Sequence, residues 1–269
     1  MRRFIKTRTG PFGLLLLLAM VLGSAFGLGN PNLQSYESIL ATPSLNHPLG
    51  TDDLGRDTLS RVLHGGRISL SVGALSVALA MIVGVPIGLL AAFYRGRIDS
   101  VLMRIVDGLL SFPSLLLALF LTAVFGASLS NIVIAIGIVF APRMIRFCRG
   151  QALAIRQDAY IEAAQAVGQA DLRIMMAHML PNVSPSLIVQ ASLDFAFAVL
   201  IEASLSFLGV GVPPPTASWG TMLEQGFGYM SSAPWLALAP GVFISTAVLG
   251  ANLLGDGLRD AWDPRMRGV

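Results

Sequence analysis

From Gly108 to Pro142 the chain carries no Asp, Glu, Lys or Arg. A soluble domain is charged at about one residue in four, so an uncharged run of this length cannot cover itself with water-facing groups. It is also longer than the ~20 apolar residues that cross a bilayer once. The small polar segment GASLSN, Gly126 to Asn131, divides it into two crossings. Four further apolar intervals, at roughly residues 11–28, 68–94, 185–210 and 235–254, bring the expected number to six. Composition agrees, with 54% hydrophobic and only 12% charged residues. Backbone polar groups must be satisfied within the hydrocarbon, and the ten-residue alternation of a membrane barrel is absent, so the expected fold is all-α with six transmembrane helices. Pro86 and Pro113 fall inside the second and third spans and predict kinks there.

The basic residues set the orientation. Arg2, Arg3, Lys6, Arg8, Arg95, Arg97, Arg104, Arg143, Arg146, Arg149, Arg156, Arg173, Arg259, Arg265 and Arg267 all fall on one side, which is fifteen of the eighteen. Arg56, Arg61 and Arg67 fall on the other. The positive-inside rule therefore puts both termini in the cytoplasm. The net charge of +3 reflects this topology and not nucleic-acid binding. The opening RRFIKTR, the apolar stretch after it and Gly23-Ser24-Ala25 also have the layout of a cleavable signal peptide. Cleavage would leave residue 30 onward on the same side. The single Cys148 excludes an internal disulfide and a Cys-based zinc set.

The most water-compatible stretch of the second half lies in the longest cytoplasmic loop, about residues 150–182. DAYIEAAQAV is a good helix former with Asp158 at its start and Gly168 placed to end it. DLRIMMAHML predicts a second amphipathic helix closed by Pro181 and Asn182. Tyr160, Ala163, Ala164 and Val167 would share one face, small enough for another surface to approach closely. Elsewhere, Asp194 and Glu202 lie within the fifth span, with Ser206 one turn beyond Glu202. A charge facing lipid costs about 2.5–3.5 kcal/mol at mid-helix, so these groups face protein or a translocation path. Asp107, near the start of span three, has Arg104 as its expected partner.

The outer loop holds His47, Asp52, Asp53, Asp57 and His64, but their spacing matches no cation loop. GTDDLGRD reads as a turn with an Asp cap before a short helix, Arg56 to Leu63, lying on the membrane surface. The second outer loop opens with Pro213-Pro214-Pro215 and places Trp219 and Trp235 at the interfacial belt. No nucleophile elbow, zinc-protease helix or phosphate-binding loop is present, so no catalytic residue, metal ligand or directly bound cofactor is expected. An intramembrane enzyme would need a nucleophile with a base at membrane depth, and all three His residues lie outside the spans. An ion channel or ion-coupled carrier is the remaining different-class alternative.

The loop motif resembles a known family. Glu162-Ala163-Ala164, Gly168, and then His178, Met179, Leu180 and Pro181 have the spacing of the EAA loop of importer-type ABC permeases. His178 stands where Ile is usual, which resembles the dipeptide, oligopeptide and nickel branch. HPLGTDDLGRDTLSRVLHGGRISL, MRIVDGLLSFPSLLLA, EASLSFLGVGVPPPTASWGTML and NLLGDGLRDAWDPR extend the likeness to the second, C-type permease of such systems over nearly the whole chain. The resemblance implies a type I importer permease fold, with residues 1–67 forming the tail, first helix and outer loop and residues 68–269 a five-helix core. It implies that Glu162, Ala163, Ala164, Gly168, His178, Leu180 and Pro181 form the segment coupling to an ATPase. It further implies a bacterial inner-membrane protein partnered by a second homologous permease, two ATP-binding subunits that use ATP and Mg, and an extracytoplasmic binding protein. Small peptides are the expected cargo, with nickel or a metal chelate as the alternative.

Overall fold

The computed structural model describes residues 9–27 and 29–262. The basic residues Arg2, Arg3, Lys6, Arg8, Arg265 and Arg267 lie outside the described residues. Among those described there is no β-strand, only one isolated bridge between Thr51 and Asp57.

Helix α1 (Thr9–Ala25) is apolar but only 17 residues long, about 26 Å against a hydrocarbon thickness of ~30 Å. Four helices are long and apolar enough to cross a membrane: α2 (Thr58–Tyr94), α5 (Leu129–Ile155), α7 (Asp171–Phe207) and α9 (Trp235–Trp262). Helices α3 (Gly96–Leu110) and α4 (Ser114–Phe125) are long and apolar enough only as a pair, bent by 88° at the break between them. The expected six crossings thus correspond to four long helices, one broken pair and one short apolar helix. Two short α-helices, α6 (Ala159–Ala166) and α8 (Trp219–Phe227), and a single 3-10 turn at Tyr36–Ser38 complete the helices of the described residues.

Three boundaries differ from the sequence reading. No separate surface helix precedes span two: residues 58–67 belong to α2, which runs unbroken through the 67/68 division. Asp57 does cap it, accepting the Ser60 amide at 2.7 Å, and Val62 is buried and not at a membrane surface. Pro113 does not kink a continuous helix but stands in the break between α3 and α4, where the chain bends by 88°, a sharper turn than the kink expected. It is the N-cap of α4, where its missing N–H costs nothing, while Pro86 and Pro142 sit inside α2 and α5. Finally, Pro181 and Asn182 do not close the loop's second helix. Residues 174–179 form a π-helical segment, and the helix continues from Leu180 to Phe207. The wider turns lie just before Pro181, the residue that withholds an N–H from the ladder and whose ring crowds the preceding turn.

Helices α2, α5 and α7 form the centre, and α1 packs along α9. Two apolar clusters mark the ends. One, at the end rich in Arg, joins Phe93, Met144, Cys148 and Ala152 to Ile161, Ala164, Met175 and Met179. The other, at the opposite end, joins Met20, Val62 and Leu70 to Trp219, Met222 and Ile244. Helix α8 docks tightly on α7 through Gly220, where a Cβ would lie 2.6 Å from the Ala203 carbonyl oxygen.

Candidate functional site

Residues 158–182 fold into a helical hairpin beneath α2 and α5. Asp158 takes the N-cap position of α6 in extended conformation, although its side chain makes no capping hydrogen bond. Gly168 follows the C-cap Val167 with φ +73°, the left-handed turn that favours glycine. The Gly168 amide donates to the Gln165 carbonyl at 3.0 Å and the Gln169 amide to that of Ala164 at 3.1 Å, so the last turn of α6 is closed. Open space surrounds Gly168, which makes its requirement conformational and not one of packing.

The two arms are stitched together by side chains. Nε2 of His178 lies 2.9 Å from Oε1 of Gln169. Nδ2 of Asn182 donates to the His178 carbonyl at 2.7 Å and to the Tyr160 hydroxyl at 3.1 Å. Partial burial and the Asp158 carboxylate push the Tyr160 phenol above its ordinary range, so it stays protonated. The imidazole at position 178 therefore does what an aliphatic residue could not, holding the hairpin's turn against its second arm.

The expected small-residue face divides. Ala164 is buried, packed with Ile161 into the chain's own cluster, whereas Tyr160, Glu162, Ala163 and Val167 are exposed. The smallness of Ala164 thus serves the protein's own packing, and Ala163 is the alanine available to another surface. Leu180 is half-buried, and Pro181 is exposed.

The polar groups of span five are both fully buried. Asp194 accepts the Gln190 side-chain amide at 2.9 Å and pairs with Arg143 at 3.5 Å, leaving its Oδ2 without a partner. Glu202 accepts from the Ser206 hydroxyl at 2.8 Å, and its Oε2 also lacks a partner. Ser218 reaches Ser206 at 3.4 Å and caps α8 through a reciprocal bond with Thr221. Trp219 is not an interfacial belt residue. It is fully buried, its amide donating to Ser69 Oγ at 3.2 Å and its indole N–H to the Val62 carbonyl at 2.9 Å.

In the outer loop Asp52 anchors two arginines, Arg56 at 2.6 Å and Arg61 at 3.5 Å, and Asp53 pairs more loosely with Arg56. His47 pairs with Asp57 at 3.0 Å, and His64 contacts its own helix at the Ser60 carbonyl. These side chains are spent on holding the loop.

Asp107 pairs with Arg146 of α5 and not with Arg104. This pair belongs to a ladder that the sequence reading missed: Arg143, Arg146 and Arg149, three residues apart on α5, take Asp194, Asp107 and Asp99 respectively. The Arg149 contact is bidentate, at 2.5 and 2.6 Å. The regular spacing of three was the available signal, but the partners lie on other helices.

Residues 84–268 match the family model described as binding-protein-dependent transport system inner membrane component. A putative peptide transport system permease protein of Brucella suis is 44% identical over 270 residues, covering 99% of this chain and 91% of the relative. A dipeptide transport system permease protein of Alkalihalophilus pseudofirmus is 41% identical, covering 97% of this chain and 88% of its own length. A glutathione transport system permease protein of Pectobacterium atrosepticum is 40% identical, covering 99% and 89%. Among solved structures, the inward-facing MetNI methionine ABC transporter matches with a TM-score of 0.63 over 75% of this chain and 96% of that chain. At 20% identity that match concerns the fold alone.

Proposed function

Because the chain belongs to the family of binding-protein-dependent transport system inner membrane components, we propose that it is one of two permease subunits of an ATP-driven importer of small peptides. Three relatives at 40–44% identity, named for peptide, dipeptide and glutathione transport, favour peptides over nickel or a metal chelate. In this reading the second permease is a homologue completing a heterodimer, two subunits hydrolyse ATP with Mg, and an extracytoplasmic protein delivers the cargo. The chain itself supplies no catalytic group. It provides half of a pathway that opens alternately to either side.

The observation that carries the reading is the division of the hairpin into a packed and a free half. Ile161 and Ala164 lock α6 to the Arg-rich end of α2 and α5, so a push on the hairpin moves the spans with it. Glu162, Ala163 and Val167 remain outside, forming a knob of the size a groove in an ATPase accepts. Gly168 and the His178 to Gln169 contact fix the angle between the arms.

The test is uptake by the assembled importer. Gly168→Val and Glu162→Lys should abolish ATP-driven peptide uptake while the chain still inserts, with ATPase subunits lost or their hydrolysis uncoupled. Full uptake with a full ATPase complement would refute the assignment. The proposed orientation, termini and hairpin in the cytoplasm, needs exposed reporters. Cys148 is buried and would stay unlabelled on either side. Leu45→Cys in the outer loop, at 102% exposure, should react with an impermeant thiol reagent in intact cells, and Val167→Cys, at 75%, only after lysis and removal of the ATPase subunits that would cover it.

A further inference from the structure

Arg143 sits fourteen residues along from Leu129, the outer end of α5. At 1.5 Å per residue that is about 21 Å inward, short of the ~30 Å crossing, so it is the deepest rung of the arginine ladder. Its side chain is nevertheless 45% exposed, while its partner Asp194 is 0% exposed. A guanidinium short of the interface faces hydrocarbon only at a cost, about 2.5–3.5 kcal/mol where it is greatest, at mid-helix. Nor is it free to snorkel toward the headgroups, because Asp194 holds one edge at 3.5 Å and the Phe197 ring lies 5.3 Å from its centre. Phe197 and Leu200 are themselves exposed on the adjoining strip of α7. The arrangement is a fixed cation on an aromatic platform, with N–H donors left over on its open side; an arginine has five in all, in a fork suited to a carboxylate.

We infer that the open face of Arg143 lies on the aqueous translocation path and is the point at which a passing peptide presents its C-terminal carboxylate. Asp194 and Phe197 are positioning residues: they set the guanidinium's orientation, and the carboxylate meets only Arg143. The inference rests on the permease reading, and it concerns one residue of the path and not the identity of the family. The guanidinium and the Asp194 carboxylate sum to zero net charge, but the N–H donors left on the open side of Arg143 point away from Asp194, so an anion meets donors there and a cation does not.

The experiment uses the assembled importer carrying Cys148→Ser and Leu200→Cys, which leaves the Phe197 ring in place. Modification rates are compared for an anionic sulfonatoethyl and a cationic trimethylammonioethyl thiosulfonate, with Arg143 present and with Arg143→Gln. We expect both reagents to reach position 200, the anion to be favoured relative to free cysteine, and Arg143→Gln to reduce that preference by about fivefold or more. No reaction at position 200 would place this face against lipid or another subunit and overturn the inference. An unchanged anion preference in Arg143→Gln would overturn it as well. Uptake supplies an arm specific to the cargo. In liposomes with the binding protein, Arg143→Gln should slow a free-acid peptide at least tenfold and its C-terminal amide less than twofold. An equal loss for both would overturn the carboxylate assignment. If the wild type carries no peptide at all, it is the function proposed above that fails, and the reagent preference still reports on the site.

Discussion

The two ends of the molecule are held by different physics. At the end around Trp219 directional polar contacts do the work: Asp52 gathers Arg56 and Arg61, Trp219 hangs from Ser69 and Val62, and Ser218 caps α8 beside the Glu202 and Ser206 pair. At the Arg-rich end the hairpin is held mainly by an apolar cluster, Ile161, Ala164, Ile174, Met175 and Met179, with the His178 to Gln169 contact and a left-handed glycine at its turn, and the other face of α6 is bare. A buried polar network is costly to leave half made, so it fixes one geometry. An apolar cluster is held by packing without directional bonds, and here it occupies one face of α6 and leaves the other free. The end around Trp219 is built to stay as it is, whereas the hairpin keeps a face free for the partner proposed to grip it.

This contrast breaks first where substitutions affect folding. Trp219→Ala removes a fully buried indole and its hydrogen bond to Val62, and should cost about 3–5 kcal/mol of stability in denaturant titrations of the purified subunit. A cost below about 1 kcal/mol would mean that the end around Trp219 is not so pinned. Ile161→Ala, at the one large side chain of α6 that is fully buried, should cost about 2–3 kcal/mol, enough to loosen α6 while the spans remain folded. Gly168→Val places a β-branched residue at φ +73° and should cost about 1–2 kcal/mol, although its effect on uptake should be complete. At the smallest stability effect, Ala163→Gln on the exposed face should change stability by less than about 0.5 kcal/mol. It should still weaken ATPase retention and uptake. If stability and uptake fell in the same order across this series, the separation of a pinned end from a gripped end would be wrong.

Much of the layout was legible because uncharged intervals are a property of the chain alone. The span between Asp107 and Arg143 needs no knowledge of neighbours, and the break near GASLSN appears as the turn between α4 and α5. The hairpin was legible for a related reason: Gly168 and the helix formers before it act locally. Hydropathy does not separate lipid-facing from protein-facing surface, so Trp219 read as a belt residue although the side chains that enclose it come from α2 and α9, distant in sequence. Asp107 was matched to the nearest arginine in sequence, while its partner, Arg146, lies on α5 across the α3 to α4 bend. The faces of α6 were equally ambiguous. Ala163 and Ala164 are adjacent and identical, and only the position of the underlying core decides that one is inward. The helix starts near Thr58 and Asp171 were legible, but the continuity of α2 through residue 67 and of α7 through Pro181 was missed, because polar residues that lie on a helix within a protein look the same as a loop.

The unbroken length of α2 makes the protein a pointer. Val62, which carries the Trp219 indole, and Phe93, in the floor of the hairpin, are 31 residues apart on this one helix. That separation is about 46 Å, so a tilt of only about 5° at one end sweeps the other through about 4 Å. With few joints to absorb rotation, Pro86 lying within two turns of the hairpin's floor, angular motion too small to disturb local packing becomes a displacement wider than a water molecule at the far rim.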